Sequence, residues 1–221
     1  MWMSPRLAAA VATLLLAAGP APAQELTRLY APKPPAGSAY VRAVDLSRSG
    51  AMIGFGAGSA VAAAAGEPAT IYRIVKGGEV LALTLAGKPV AGKVTPPADA
   101  FSTIVIGTDG AAVLIADSTE GRNDLKAQLR VYNLVPGCPG AVAVQDGPTV
   151  FEGVTTNATT QRAINPIEAT LVASCGDARS GALKLPPLKA GDHFSLFLLP
   201  GQAGVELKGQ RDETEPYRTA N

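Results

Sequence analysis

The chain has 221 residues, with 19 Lys and Arg, 18 Asp and Glu, one His and two Cys. Charge is balanced and no basic run occurs, so we expect no binding of nucleic acid. One His excludes a histidine-rich metal site, and the two cysteines are too distant in sequence for a zinc-type pair, so we expect no metal. A calcium site made of carboxylates alone is the alternative, although no loop signature marks one. We also expect no cofactor.

Residues 1–23 have the three parts of a secretory signal peptide. A basic head containing Arg6 precedes an apolar run that is too short to span a bilayer, and small residues ending at Ala23 offer a cleavage site. Removal of this leader takes away the single Trp and, since 19 minus Arg6 is 18, leaves equal numbers of basic and acidic residues. No later segment is long enough to span a membrane, and the predicted location is a bacterial periplasm.

The remaining chain has the pattern of an all-β protein. Residues 24–37 are rich in proline, and their apolar residues follow neither the helical nor the strand period. This pattern predicts an extended arm held in place in part by Tyr30. Short apolar or alternating segments separated by Gly, Pro and Asp follow from residue 38, and this spacing is typical of a sandwich or barrel. Helix signals are weak, since the alanine tract at 62–65 is flanked by glycines and followed by Pro68.

An internal repeat predicts two modules. The stretch GSAYVRAVDLSRSG at 37–50 returns in weaker form as AQLRVYNLVPG at 127–137. Asp45 and Asn133 share a position at which an Asx side chain bonds the backbone two residues on and ends the strand. At the far end of each copy, a Phe-Ser pair at 101–102 is matched by a second pair at 194–195.

We therefore predict an all-β fold of two tandem small β-sandwich modules, at 38–117 and 125–208. A polar linker at 118–124 joins them, and a mobile tail occupies 209–221. Arg42 and Arg130 occupy equivalent strand positions opposite the apolar parity, so both are predicted to face solvent.

Cys138 and Cys175 both fall in the second module. In an exported protein an even pair predicts a disulfide, with two free thiols as the alternative. Closing that loop is worth roughly 3.9 kcal/mol before strain is subtracted. Reduction is expected to destabilise the second module selectively.

Groups suited to catalysis are few. A serine nucleophile needs a base within hydrogen-bond reach and usually a third group that orients this base. Every such triad in this chain would have to use its single histidine, His193, which follows Asp192. No nucleophile motif accompanies this residue, so we interpret His193 as a residue at the mouth of a strand. We expect no catalytic residue.

Two segments carry a family resemblance. LYAPKPPAGSAYVRAVDL at 29–46 resembles the start of mature chains in the alginate biosynthesis protein AlgF family, and QRAINPIEATL at 161–171 is similar to that family's Ile-Asn-Pro segment. The resemblance implies a periplasmic accessory factor for O-acetylation of an exopolysaccharide, which acts beside separate acetyltransferase proteins. The loop after Phe55 and the PGCPG loop depart from the family pattern, so the polymer served can differ from alginate.

Three functional classes remain. A non-catalytic adapter that contacts acetyltransferases fits the residues and the resemblance best. The alternative is a carbohydrate-binding module that holds the polymer; Tyr30, Tyr72 and Tyr217 are its candidate aromatics. An enzyme ranks last. Candidate contact residues for a partner or ligand are Tyr30, Arg42, Arg130, Arg162 and Asn165, the last in a predicted bend before Pro166.

Overall fold

The computed structural model describes residues 34–202 and 204–217. The predicted signal peptide, the arm up to residue 33 with Tyr30, and residues 218–221 lie outside the described residues. No helix long and apolar enough to cross a membrane occurs in the part of the chain that the structure describes. We refer to residues 34–117 as the first half and to 125–217 as the second half.

All regular structure in the described ranges is β-strand, which confirms the predicted all-β fold. In chain order the strands are β1 (Ser38–Asp45), β2 (Ile53–Phe55), β3 (Arg73–Lys76), β4 (Leu83–Leu85), β5 (Lys88–Pro89), β6 (Phe101–Ile106), β7 (Ala112–Asp117), β8 (Ala127–Asn133), β9 (Gly140–Val144), β10 (Thr149–Val154), β11 (Ala158–Ile164), β12 (Thr170–Cys175), β13 (Ala178–Arg179), β14 (Leu183–Lys184), β15 (His193–Gly201) and β16 (Gly204–Arg211).

Each half is a sandwich of two sheets. In the first half, a four-stranded sheet in the order β3-β1-β6-β7, here called sheet I, packs on a three-stranded sheet of β2, β4 and β5. In the second half, a four-stranded sheet in the order β11-β8-β15-β16, here called sheet II, packs on a five-stranded sheet built around β9 and β12.

Sheets I and II share one topology, which supports the predicted duplication. Strands β1 and β8 each pair parallel with a later strand, β6 or β15, and antiparallel with β3 or β11 on the other edge. The register differs from the sequence match in one respect. Arg42 pairs with Thr103 and Arg130 pairs with Ser195, so Ser195 corresponds to Thr103 and the predicted match to Ser102 is wrong by one residue.

The two copies end their first strand in the same way. Oδ1 of Asp45 accepts a hydrogen bond of 3.0 Å from the amide of Ser47, and Oδ1 of Asn133 accepts one of 3.0 Å from the amide of Val135. Both bonds span two residues, which confirms the Asx interpretation of this shared position.

Sheets I and II also pack against each other. Alternate residues of β1 point to opposite faces, so Val41 and Ala43 lie in the core of the first half while Val44 faces sheet II. Val44 belongs to a third core made of four residues from the first half and four from the second: Val44, Ala69, Val105, Ile115, Tyr132, Leu134, Phe197 and Leu199. Residues 34–217 accordingly form one compact unit.

The end of the described chain packs on the first half. Residues 209–211 belong to β16, and beyond them the amide of Tyr72 donates to the carbonyl of Glu213 at 2.8 Å. The amide of Glu215 donates to the Tyr72 carbonyl at 2.9 Å, and its carboxylate pairs with Arg73 at 2.9 Å. The prediction of a mobile tail is therefore wrong for residues 209–215, because the bonding partners of this polar segment lie in the other half.

Cys138 and Cys175 form the predicted disulfide. It joins the loop between β8 and β9 to the end of β12, with the two Cα atoms 5.8 Å apart, which lies in the usual range for native disulfides. The sequence separation of 37 corresponds to a loop-closure contribution of roughly 3.9 kcal/mol.

We predict that reduction lowers the stability of the whole unit, because the third core couples the two halves. Denatured protein without reductant is expected to titrate no thiol, and reduction is expected to lower the free energy of unfolding by up to about 4 kcal/mol in one cooperative transition. Urea unfolding followed by far-UV circular dichroism and by tyrosine fluorescence measures this. An unchanged transition for the first half, beside a weakened second one, would restore the expectation of selective loss drawn from the sequence.

Candidate functional site

Arg42 lies at the interface between sheets I and II and is fully buried. The prediction that Arg42 and Arg130 face solvent is wrong, since these residues are 0% and 7% exposed. Both lie opposite the apolar parity of their strands, as predicted, but the second face of each sheet is covered by the other sheet rather than by water.

Four hydrogen bonds hold the guanidinium of Arg42. Nε donates to Oγ1 of Thr103 at 3.0 Å, and Nη1 donates to Oδ1 of Asp212 at 2.7 Å. Nη2 donates to the hydroxyls of Tyr132 and Ser195, both at 2.8 Å. Three of these four acceptors belong to the second half. Because a buried charge is costly unless it is paired, Arg42 is satisfied only when the halves are docked.

Aromatic rings enclose the same guanidinium. Its central carbon lies 4.5 Å from the ring centroid of Tyr72 and 5.1 Å from the centroids of Tyr132 and Phe197. The last two rings stack on each other with centroids 4.9 Å apart. Cation–π attraction therefore adds to the hydrogen bonds, again with groups from both halves.

Asp117 is the second anion of this network. Its Oδ1 accepts from the hydroxyl of Tyr132 at 2.7 Å, and its Oδ2 accepts from the hydroxyls of Tyr72 and Thr103 at 2.8 Å each. A hydroxyl has one proton, so Tyr132 and Thr103 accept from Arg42 and donate to Asp117. Two hydroxyl bridges thus connect the buried cation to a carboxylate that it does not touch directly.

Burial and neighbouring groups shift the ionisation of the network. Burial alone would lower the pKa of Arg42, but Tyr132, Asp212, Tyr72 and Asp117 together raise that pKa well above its ordinary value. Burial raises the pKa of Tyr132 to about 12 against the opposing effect of Arg42, and it raises the pKa of Tyr72 as well. At neutral pH the network contains a charged guanidinium and two neutral phenols.

Arg130 lies beside this network. Its Nη2 donates to the carbonyl of Ser118 and to Oε1 of Gln161, both at 2.6 Å, and its Nη1 lies 3.9 Å from Oδ1 of Asp117. Arg130 therefore holds the start of the 118–124 segment against sheet II.

A cleft of about 210 Å³ opens where this network reaches the surface. The first half contributes Tyr72 and Phe101 to its wall, and sheet II contributes Gln128, Arg130 and His193. His193 and Gln128 are register partners on β15 and β8, so their side chains project from the same face. A second cavity, of about 340 Å³, lies elsewhere along the contact between the halves, against the alanine tract at 63–65.

His193 is half-buried in the wall of the cleft. Burial lowers its pKa, with Arg122 and Arg130 in the same direction and Asp212 against them. Its imidazole makes no hydrogen bond to a hydroxyl within residues 34–202 and 204–217. Over the same ranges no group of three or more His, Cys, Asp or Glu side chains is placed to hold a metal ion.

The structure separates the predicted contact residues. Arg42 and Arg130 meet in the network, whereas Arg162 and Asn165 are exposed near the end of β11 and Tyr30 lies outside the described residues. Tyr72, a candidate for stacking on sugars, is 3% exposed and therefore offers no open platform.

Sequence reasoning missed Thr103, Asp117, Tyr132, Ser195 and Asp212. The available signal was the apolar residues beside each arginine: Val44 and Tyr132 lie on the same side of their strands as Arg42 and Arg130. Apolar residues on both sides of a strand are typical of strands that are covered on both faces.

We predict that Arg42→Met lowers the free energy of unfolding by about 3–5 kcal/mol, because it leaves Asp212 and the hydroxyls of Tyr132 and Ser195 buried without their donor. Arg162→Met, at an exposed arginine, is the matched control and should change stability by about 0.5 kcal/mol or less. Urea unfolding of both variants measures the difference. Equal stability of the two would show that the Arg42 contacts contribute little.

Alkaline pH should weaken the same network. The pKa of Tyr132 is about 12 in the folded state against 10.0 ordinarily, so the folded state retains this proton longer and stability falls as pH rises from about 10 to 12. That difference corresponds to roughly 3 kcal/mol for this residue. Tyr132→Phe should be less stable at neutral pH and should lose less stability on alkalinisation. Parallel stability–pH curves for the variant and the wild type would contradict this.

Comparison with known proteins identifies the family. The family described as "Alginate O-acetyl transferase AlgF" matches residues 11–195. "Alginate biosynthesis protein AlgF" from Pseudomonas putida is 29% identical over 171 residues, which cover 77% of each chain. A solved structure of the C-terminal domain of AlgF from P. aeruginosa is similar at 26% identity and a TM-score of 0.35, covering 39% of this chain and 98% of that one. Because the family match covers most of the sequence, the chain belongs to the AlgF family.

Proposed function

We propose that the protein is a non-catalytic periplasmic adapter required for O-acetylation of a secreted exopolysaccharide, alginate or a similar polymer. It acts through contacts with separate acetyltransferase proteins. Membership of the AlgF family, whose description names alginate O-acetyl transfer, supports a role in acetylation of the polymer. The non-catalytic role is supported by the way in which the buried polar groups are used.

The main support for this proposal is that the charged side chains of the buried network bond each other across the contact between the two halves. Arg42, Asp117, Asp212 and Tyr132 bond one another across the contact between the halves, so these groups serve docking. Structural ion pairs perturb pKa values as active sites do. Here Arg42 and Tyr132, whose pKa values are both shifted, each bond groups of the other half. An adapter needs two contact surfaces at a fixed separation. The third core packs the two halves against each other and so fixes the separation of their outer surfaces.

The exposed loop after β11 is the proposed contact with a partner protein. Arg162 and Asn165 are exposed, and Ile167 beside them is 51% exposed. A large aliphatic side chain flanked by polar residues suits the centre of a protein contact.

The central experiment is co-purification of the full chain with periplasmic acetyltransferases from cells that make the polymer. Deletion of the gene should give polymer that is secreted but poorly acetylated. Ile167→Asp should reduce both co-purification and acetylation, because a charge at the centre of a contact is costly to desolvate. Val80→Asp is the matched control at a residue that is 61% exposed in the first half, and it should leave both unchanged.

Assays of the purified chain distinguish the adapter from a catalyst. If the protein is an adapter, the purified chain should neither hydrolyse a chromogenic acetyl ester nor transfer acetyl to an oligouronate. Acetyl transfer by the isolated chain, lost in His193→Ala, would refute the adapter. Normal co-purification of Ile167→Asp would refute only the placement of the contact.

A further inference from the structure

The last strand of sheet II has an open edge. β16 pairs with β15 on one side, and no strand within residues 34–202 and 204–217 pairs with its other side. Its eight residues contain no proline and no bulge, two of the devices that prevent a sheet edge from pairing with another chain. The edge is therefore long and regular enough to accept a further strand.

The register of the β15–β16 pair shows which backbone groups this edge presents. The amide of Asp212 donates to the carbonyl of His193 at 3.0 Å, so these two residues form a hydrogen-bonded pair. Bonded and non-bonded pairs alternate along an antiparallel ladder, so the even-numbered residues of β16 bond β15. The odd-numbered residues Val205, Leu207 and Gly209 direct their amides and carbonyls outward. No hydrogen bond joins these three amides to another described residue.

The charged side chains of β16 restrict the strand that can pair with this edge. Glu206 and Lys208 point to the same face, on either side of Leu207. Their side chains are 32% and 43% exposed, although Glu206 also pairs with Arg48 and, at 2.9 Å, with Lys208. Opposite charges directly across an antiparallel pair stabilise it, and like charges destabilise it. The edge thus favours a strand with a cation opposite Glu206 and an anion opposite Lys208.

A second copy of β16 has these charges in the required order. When a two-fold axis passes beside Leu207, this residue faces its own copy, and Glu206 of each copy faces Lys208 of the other. The same axis places Val205 of each copy opposite Gly209 of the other. All of these outward amides then meet outward carbonyls, which gives about six hydrogen bonds between the two copies.

Another register and other edges fit a second copy less well. An axis beside Gly209 would place Glu206 opposite Asp212, which is a like-charge pair. β11, at the other end of sheet II, has Arg162 as its single charged residue, so its charges select no second copy. On sheet I, the segment 213–215 already bonds the chain at the start of β3.

We propose that the protein forms a symmetric dimer in which the β16 strands of two copies pair antiparallel about Leu207. The pairing joins the two four-stranded copies of sheet II into one continuous sheet. Strand pairing alone buries less surface than a standard protein interface, so we expect a dissociation constant on the order of 10–100 μM. The dimer presents the loop after β11 twice. Its use in recruiting two acetyltransferases rests on the proposed function, whereas the dimer itself does not.

Sedimentation equilibrium of the purified chain, at concentrations from about 5 to 500 μM, tests the dimer. The weight-average mass should rise from that of the monomer toward that of the dimer. Lys208→Glu should weaken association about tenfold, because it places carboxylates opposite each other on both sides of the axis. Lys93→Glu makes the same change of charge at an exposed lysine in the first half and should associate as the wild type does.

Exchange of the two charges should restore the dimer. The double variant Glu206→Lys with Lys208→Glu again places opposite charges across the axis, so it should recover association that Lys208→Glu alone loses. Val205→Pro removes an outward amide without removing a bond to β15, and it should also weaken association. A constant monomer mass, or wild-type association of both Lys208→Glu and Val205→Pro, would overturn the dimer. Loss of association that the double variant does not recover would overturn the register about Leu207.

Amide hydrogen exchange in dilute solution tests whether the edge is open in the monomer. The amides of Val205, Leu207 and Gly209 should exchange fast, whereas those of Glu206 and Lys208, which bond β15, should be protected. Protection of all five amides in the monomer would overturn the proposal, because another part of the chain would then cover the edge. These measurements use the purified chain alone. Failure of the dimer is therefore distinguishable from failure of the adapter, which co-purification with acetyltransferases tests.

Discussion

The buried guanidinium of Arg42 is the interaction on which the arrangement of the two halves depends. Each half has its own sandwich core, but the third core between sheets I and II contains a cation that water would otherwise solvate. Its charge is compensated by Asp212 and by hydroxyls of the second half, so a shifted docking geometry would leave it unpaired. We infer that this network specifies one relative position of the halves, while the surrounding apolar residues supply most of the free energy of docking.

The same requirement explains the position of the cleft. The hydroxyls around Arg42 donate to both oxygens of Asp117, and Arg42 itself donates to one oxygen of Asp212, so both carboxylates of the cleft wall are bonded from inside. Arg130, two residues before Tyr132 on the same face of β8, donates to the carbonyl of Ser118 and lines the cleft. Tyr72, Asp117 and Asp212 thus belong both to the network that docks the halves and to the wall of the cleft.

Much of the fold could be predicted from local patterns. Alternation predicted the strands, the Asx position predicted how β1 and β8 end, and export predicted the disulfide. The candidate site could not be predicted in this way, because alternation shows which residues share a face but not what covers that face. Alternation alone therefore predicts that Arg42 and Arg130 face solvent. The polar segment at 212–215 has no pattern of apolar residues that would predict a strand. Its bonding partners, Tyr72 and Arg73, are distant in sequence, so its ordered position could not be predicted either.

The most direct test of the account is whether the two halves reorient as one body in solution. Residual dipolar couplings of backbone amides, measured separately for the two halves of the intact chain, give an alignment tensor for each. If the Arg42 network and the third core fix the docking, both halves will share one tensor, and Arg42→Met will separate the two tensors or unfold the chain. Two different tensors in the wild-type protein would contradict the account.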